Sequence, residues 1–271
     1  MNAQVPLASL LCMGFCLLFA FALPIGLCVW LHKFRQAELS PFFVGCGVML
    51  LFAFGLESAL NMALLSSPLG SFIRGRNWLY ALYGGFMAGL FEETGRFLAF
   101  KTVLKKKRDK DVNALMYGAG HGGIEAIVLL GLTSVNNIIY AVLLNTGCSE
   151  MLLQGLPEEA AQQMRGIFAQ LADSAPVLFL GGALERLFSV AIQIALSVLV
   201  WFAAKQPGKV WLYPLAILLH LAVDATAALL SLGGSSVWLI ELFVALFALS
   251  CCLLARTVWK RCVPPADPAA N

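Results

Sequence analysis

The chain has 271 residues, of which 60% are hydrophobic and only 12% are charged. Because soluble globular domains contain about 25% charged residues, this composition excludes a soluble protein and predicts an integral membrane protein. The formal net charge of +3 is modest, and we expect a lipid bilayer, not nucleic acid, as the surrounding partner. The length suits one membrane domain over residues 1–262, followed by a tail over 263–271 that we expect to be disordered.

Seven apolar segments are long enough to cross a bilayer, which takes a helix of about 20 residues. Pro24 is expected to kink the first segment, and the fourth, with 33 residues, is expected to be tilted or broken near Gly131. The third contains Gly85-x-x-x-Gly89, a spacing typical of closely packed membrane helices. The segments cover approximately residues 7–31, 42–65, 77–104, 112–144, 176–204, 210–230 and 236–259. The predicted fold class is therefore all-α, a polytopic transmembrane helix bundle of about seven helices.

The one sizeable loop, residues 146–175, is expected to contain a helix of another kind. Pro157, Glu158 and Glu159 are typical of a helix start, since acidic side chains favour the positive end of the helix dipole. The apolar residues that then fall on one face are Met164, Ile167, Phe168 and Leu171. We expect a short amphipathic helix on the membrane surface.

Basic residues are distributed unequally between the alternating loops. One side of the membrane receives Lys33, Arg35, the cluster from Lys101 to Lys110, Lys205, Lys209, Arg256, Lys260 and Arg261. The other side receives Arg74, Arg76 and Arg165. Because cytosolic loops carry an excess of Lys and Arg, we predict a multi-pass membrane protein with its N-terminus outside and its C-terminus in the cytosol.

Groups of two or three ionisable residues occur inside four of the apolar segments. Residues 117–126 read Tyr-Gly-Ala-Gly-His-Gly-Gly-Ile-Glu-Ala, where His121 and Glu125 lie one turn apart on one helix face and the glycines allow close approach. The other segments contain Glu92, Glu93 and Arg96; Glu185 and Arg186; and His220 and Asp224. A charged residue within a bilayer costs about 2.5–3.5 kcal/mol, so we predict that the four helices share one polar site.

Each polar group also has a purely structural explanation. Glu57 and Asn61, four residues apart in the second segment, are explained most simply by a hydrogen bond between helices. Glu185 is the most ambiguous candidate, because adjacent residues point apart on a helix. Structural roles for all four groups together require more coincidence than a structural role for any one, and this favours function.

Two histidines and several carboxylates suit two mechanisms of hydrolysis. In the first, a zinc ion lowers the pKa of a bound water, and its candidate ligands are His121, His220, Glu125 and Asp224, with Glu92 as a further candidate. In the second, a glutamate acts alone as general base and the histidines stabilise the oxyanion. Arg96 would neutralise either Glu92 or Glu93 and leave the other for chemistry.

These motifs, in this order along nearly the whole chain, resemble the YhfC family of intramembrane metalloproteases. The motifs are Glu-Glu-x-x-Arg, His-Gly-Gly-x-Glu, Glu185-Arg186 and His-x-x-x-Asp. That family is related to the CAAX-processing and bacteriocin-processing membrane proteases, so the resemblance implies a CAAX-protease-like core and a peptide or membrane-protein substrate. It also implies that paired glutamates activate water, and the matching positions are Glu92 and Glu93, with His121, His220 and Asp224 as the later polar residues. Arg96 stands one position closer to the glutamates than in the CAAX pattern, Glu-Glu-x-x-x-Arg.

The resulting hypothesis is a seven-helix hydrolase of the bacterial inner membrane that cleaves peptide bonds within or beside the bilayer, with zinc as candidate cofactor. Its candidate catalytic residues are Glu92, Glu93, Arg96, His121, Glu125, Glu185, His220 and Asp224. Two other functions remain open from the sequence: a proton-coupled transporter, since buried acids and histidines also relay protons, and a non-catalytic membrane scaffold.

Overall fold

The computed structural model describes residues 4–263, which fold into helices without any strand. The nine helices of this part are α1 (Leu7–Arg35), α2 (Ser40–Leu65), α3 (Pro68–Arg74), α4 (Asn77–Lys101), α5 (Asn113–Asn145), α6 (Glu158–Asp173), α7 (Pro176–Lys205), α8 (Leu212–Leu232) and α9 (Val237–Cys262). The all-α prediction is confirmed. The predicted tail lies, from residue 264 onward, outside the described residues, and the single domain over 1–262 stays a prediction.

Six of these helices are long and apolar enough to cross a membrane: α1, α2, α5, α7, α8 with the turn before it, and α9. The seventh predicted segment forms α4, which has 25 residues and so has the length for a crossing. Its composition is less apolar, because Glu92, Glu93 and Arg96 lie in its C-terminal half. The helical membrane bundle is thus confirmed, and the crossing by α4 stays a prediction.

Two of the long helices contain a π-helical segment, and each of these segments includes a glycine. Helix α5 is π-helical over Ile127–Gly131, so the break predicted near Gly131 takes the form of a wider turn in a continuous helix. Helix α2 is π-helical over Leu50–Glu57, and Glu57 is the last residue of that segment. Such segments occur often at functional sites.

The contacts divide the chain into two compact units. The smaller unit comprises residues 4–23 and 126–186, and its core includes Phe168 and Leu171 of α6 packed with Met13 and Leu144. Helix α6 is therefore amphipathic as predicted, but protein, not lipid, covers much of its apolar face. The sequence alone does not distinguish these two partners, because both are apolar.

The larger unit comprises residues 24–125 and 187–263 and contains the main apolar core. Residues 195–204 of α7 are all buried, and Trp201 packs edge-on against Phe100 of α4 at a ring distance of 5.0 Å. Phe100 also contacts the ring of Tyr117 on α5 at 4.6 Å. This aromatic cluster fixes α4, α5 and α7 against one another just beyond the polar residues of α4.

Helices α4 and α8 pack with their backbones in close approach, as the Gly85-x-x-x-Gly89 spacing predicts. A Cβ atom on Gly85 would lie 2.8 Å from the Leu221 carbonyl oxygen, and one on Gly89 would lie 2.9 Å from the Ile217 carbonyl oxygen. Such distances are shorter than van der Waals contact, so only glycine fits at both positions. The consequence is that the next turns of α4 lie directly against His220 of α8.

The loop after α4 is tied to the start of α5 by polar contacts outside the apolar segments. Asn113 accepts a hydrogen bond from the Glu38 backbone N–H at 2.9 Å and donates one to the Lys107 carbonyl at 3.0 Å. Lys107 also forms an ion pair with the Glu38 carboxylate, and this hydrogen bond lowers the pKa of Glu38. These contacts join the loop before α2 to the loop after α4 and to the first residue of α5.

Candidate active site

Glu92 of α4 lies at the centre of a buried polar cluster in the larger unit. Its Oε2 accepts hydrogen bonds from His121 Nε2 at 3.0 Å and from the Gln193 side-chain amide at 2.9 Å. His220 Nε2 lies 3.9 Å from Oε1, too far for a hydrogen bond. No residue within 4–263 donates a hydrogen bond to Oε1. One carboxylate oxygen is therefore held in place, while the other has no hydrogen-bond donor among the described residues.

Glu93, the next residue, is neutralised by Arg96. The guanidinium group donates to both carboxylate oxygens, at 2.8 and 2.6 Å, and both side chains are completely buried. Arg96 also donates to the Gln193 side-chain oxygen. Both hydrogen bonds come from Nη1, and hydrogen bonds between charged groups are strong. The positive charge of Arg96 therefore lies against Glu93, and Glu92 is left to the imidazoles and the amide.

His220 of α8 faces carboxylates through both ring nitrogens. Its Nδ1 lies 2.8 Å from Glu93 Oε1, and since a carboxylate can only accept, Nδ1 carries a proton. Its Nε2 lies 3.4 Å from Asp224 Oδ2 and 3.9 Å from Glu92 Oε1. A neutral imidazole would direct its Nε2 lone pair toward these two carboxylates, and a proton on a carboxyl group, a second proton on the ring or a metal ion between them would each relieve this repulsion.

Gln193 of α7 joins the groups that the other helices provide. Its oxygen accepts from Arg96, while its amide nitrogen donates to Glu92 and, at 3.0 Å, to Glu125 Oε2. Sequence reasoning did not select Gln193 as a site residue. The sequence feature that could have identified it is an amide side chain within an otherwise apolar helix, because polar side chains there usually form hydrogen bonds to neighbouring helices.

The glycines around His121 bring neighbouring helices against α5. A Cβ on Gly122 would lie 2.9 Å from the Gln193 Cβ, and one on Gly118 would lie 2.6 Å from the Ile194 Cα. On the opposite side, a Cβ on Gly120 would overlap with the Phe42 carbonyl of α2. The motif around His121 thus allows α2 and α7 to contact the α5 backbone, which explains how Gln193 reaches the cluster.

A cavity of about 260 Å³ lies beside the cluster and has Asp224 in its wall. Its other polar lining residues are Asn61, Tyr80 and Tyr83. The Tyr83 hydroxyl donates to Asn61 Oδ1 at 2.5 Å, and the Asn61 amide donates to Glu57 Oε1 at 3.1 Å. The Glu57 and Asn61 pair therefore bonds within α2 and, through Tyr83, to α4, as the structural explanation predicts.

The predicted site residues are thus found in two places. The larger unit brings together Glu92, Glu93, Arg96, His121, Glu125, His220 and Asp224. Glu185 belongs to the smaller unit, where it forms an ion pair with Arg186 and keeps 45% of its side chain exposed. The pairing of these adjacent residues supports the structural explanation of Glu185.

Within residues 4–263, no group of three or more His, Cys, Asp or Glu side chains is arranged as a metal site. The chemistry of the donor set nevertheless fits a metal, because two imidazoles and a carboxylate are ligands that zinc takes. His121 Nδ1 is buried and has no hydrogen-bond partner in the described part of the chain. The Nε2 atoms of both histidines face Glu92, at 3.0 and 3.9 Å.

Comparison with known proteins gives two matches. A family model described as "YhfC intramembrane metalloprotease" matches residues 19–244. The "uncharacterized membrane protein YhfC" of Bacillus subtilis (strain 168) is 36% identical over 232 residues, which cover 84% of this chain and 88% of the relative. No solved structure matches the chain.

Proposed function

The chain belongs to the YhfC intramembrane metalloprotease family, and from this premise we propose that it hydrolyses peptide bonds within or beside the bilayer, with Glu92 as the central residue. The observation that carries the proposal is the asymmetry of the Glu92 carboxylate. Oε2 is fixed by His121 and Gln193, whereas Oε1 receives no hydrogen bond from the described residues. A carboxylate so positioned can accept a proton from water.

Glu92 Oε1 takes a proton from the attacking water and later delivers it to the leaving amine nitrogen. His121 and Gln193 keep the carboxylate in one orientation throughout, so the entropic cost of orienting it does not add to the activation barrier. Because both donors bind Oε2, neither competes with water at Oε1. Glu92 is therefore the base, and Glu93 is not.

His220 supplies positive charge opposite the base. Glu93 accepts from its Nδ1 and so sets the direction of Nε2, the usual role of a carboxylate behind a functional histidine. Arg96 balances the charge of Glu93 in turn. Positive charge at Nε2 stabilises the oxyanion that forms when water adds to the peptide carbonyl.

A metal ion would be held by Glu92, His121 and His220, whose facing oxygen and nitrogen atoms are of the type that zinc binds. The His121 proton would then be on Nδ1, which has no other partner among the described residues, and Gln193 alone would orient Glu92. When bound, zinc polarises a carbonyl oxygen and activates water. The positioning roles of Gln193, Glu93 and Arg96 apply in the same way, because each acts on the three side chains themselves.

The cavity beside Asp224 is the place for the substrate chain next to the cleaved bond. It adjoins the cluster through Asp224, which contacts His220, and its volume is about 260 Å³. Tyr83 and Asn61 in its wall offer hydrogen-bonding groups to the backbone of an extended peptide. A transmembrane helix that unwinds locally exposes backbone groups of this kind.

The proposal is tested with the purified full-length protein reconstituted in vesicles with a library of fluorogenic peptides that each contain one transmembrane segment. We expect the wild type to cleave members of the library and Glu92→Gln to lower kcat by about 10²–10⁴-fold, the usual contribution of a general base. Glu38→Gln makes the same chemical change outside the cluster and is expected to keep wild-type activity. No cleavage by the wild type, or full activity of Glu92→Gln, would contradict the proposal.

A further inference from the structure

A second cavity in the larger unit combines apolar walls with two arginines. Its volume is about 290 Å³, close to the lower end of about 300–1,000 Å³ for small-molecule sites. It is lined by Arg35 of α1, Leu115 of α5, Ala191, Ile194, Ala195 and Val198 of α7, and Cys252, Ala255, Arg256 and Trp259 of α9. None of these residues belongs to the Glu92 cluster, so the cavity is a separate feature of the fold.

Among the described residues, the two arginines of this cavity have no acidic partner. Arg35 lies 5.8 Å from the Trp30 ring, but neither Arg35 nor Arg256 has a carboxylate within ion-pair distance in the described part of the chain. The remaining lining is almost entirely aliphatic or aromatic. Two guanidinium groups at the edge of an apolar cleft complement a ligand with an anionic head and an apolar body.

The position of the cavity in the membrane selects among such ligands. Arg35 lies in the last turn of α1, and Arg256 precedes the basic end of α9; the predicted topology places both ends on the cytosolic side. Trp259 is of the residue type that marks the membrane–water interface. Basic pockets between membrane helices on this side bind anionic lipid headgroups, and arginine binds phosphate oxygens in bidentate geometry.

We propose that this cleft is a binding site for an anionic phospholipid of the cytosolic leaflet, whose phosphate lies between Arg35 and Arg256. One acyl chain would lie along Ile194 and Val198 of α7. Small side chains at Ala191, Ala195 and Ala255 provide the space for it. The lipid would join α1, α7 and α9 at a point where their own side chains leave a gap.

The test is native mass spectrometry of the full-length protein in detergent, titrated with phosphatidylglycerol or with phosphatidylcholine of the same acyl chains. For Arg35→Gln/Arg256→Gln we expect the Kd of the first bound phosphatidylglycerol to rise about thirtyfold, since each arginine contributes a factor of about five. Lys33→Gln/Arg261→Gln removes the same charge from neighbouring exposed positions and is expected to leave that Kd within about twofold of wild type. Arg35→Lys/Arg256→Lys should restore much of the affinity, which separates charge loss from misfolding.

Three results would overturn the proposal. The first is equal affinity for the two lipids, which would assign the cleft to acyl chains alone. The second is an equal loss of affinity in the Lys33/Arg261 control, which would indicate diffuse attraction to a basic surface. The third is displacement of phosphatidylglycerol by millimolar inorganic phosphate, which would identify free phosphate as the ligand. None of these readouts depends on hydrolysis, so they are independent of the proposed function.

Discussion

Arg96 and Glu93 form a completely buried ion pair on α4, so we expect the effects of changing the two residues to be coupled. Arg96→Met alone leaves the Glu93 carboxylate without its counter-charge, and breaking a buried pair in this way costs about 3–5 kcal/mol. We expect this single variant to have a much lower Tm in detergent, whereas Glu93→Leu/Arg96→Met should recover part of the loss. The remainder reflects the partners that His220 Nδ1 and the Gln193 oxygen lose. Arg76→Met, at an exposed arginine, is the control. Additive effects of the two substitutions would contradict the coupling.

The prediction that the protein binds a metal ion depends on the two histidines of the cluster, His121 and His220. We expect purified wild-type protein to contain about one zinc ion per chain and His121→Ala/His220→Ala to contain almost none, as measured by elemental analysis. The third histidine, His32, contacts the Ala37 carbonyl outside the cluster, so His32→Ala should keep its zinc. Wild-type protein without zinc would leave a second proton on His220 as the source of positive charge and would contradict the metal part of the proposal.

At the residue scale, sequence reasoning found charged groups but not the amide that joins them. Glu92, Glu93, His121 and His220 were recognisable because their burial in apolar helices is costly. Gln193 costs less to bury and was therefore passed over. The division of roles between Glu92 and Glu93 could not be read from the sequence either, because it depends on which carboxylate Arg96 reaches.

At the scale of helices, the packing of α4 against α8 determines whether His220 lies within hydrogen-bonding distance of Glu93. Gly85 faces the α8 backbone, and a Cβ atom on it would lie 2.8 Å from the Ala225 backbone nitrogen, whereas a Cβ on Gly84 would have no neighbouring atom within 4 Å. We expect Gly85→Ala to lower stability by about 1–3 kcal/mol through overpacking and to reduce hydrolysis by displacing His220.

Gly84→Ala is the matched control, since it makes the same change one residue away. Without a steric clash, alanine in a helix is favoured over glycine by about 0.5–1 kcal/mol, so this variant should be as stable as wild type or slightly more. Thermal unfolding in detergent compares the two variants. Peptide cleavage is compared only between Gly85→Ala and the wild type, because Gly84 also lines the cavity beside Asp224. Similar behaviour of the two variants would show that close packing at Gly85 does not position α8.

Helix positions were largely predictable from hydropathy, because each apolar segment has the length of a bilayer crossing. The Gly85-x-x-x-Gly89 spacing also predicted the close packing correctly. The π-helical segments of α2 and α5 were not predictable, since the change in winding depends on packing against neighbouring helices and not on local composition. The burial of Phe168 in the smaller unit likewise depends on which apolar surface is nearest.

At the scale of the whole molecule, the orientation in the membrane follows from basic residues alone. Fusion of alkaline phosphatase after residue 271 should give inactive enzyme and fusion of a fluorescent protein there should give fluorescence, because the C-terminus is predicted to be cytosolic. Alkaline phosphatase inserted in the loop before α6, near Gly155, should be active. The reverse pattern would invert the topology and would place the Arg35 and Arg256 cleft in the outer leaflet.

The central claim is that Glu92 makes this chain a peptide hydrolase, and the most direct measurement is mass spectrometry of protein N-termini in membranes of cells that carry the chain. We predict new N-termini, within or beside transmembrane segments, that appear with the wild type and with Glu38→Gln and are absent with Glu92→Gln at equal expression. The same N-termini in cells with Glu92→Gln, or none in cells with the wild type, would contradict the account.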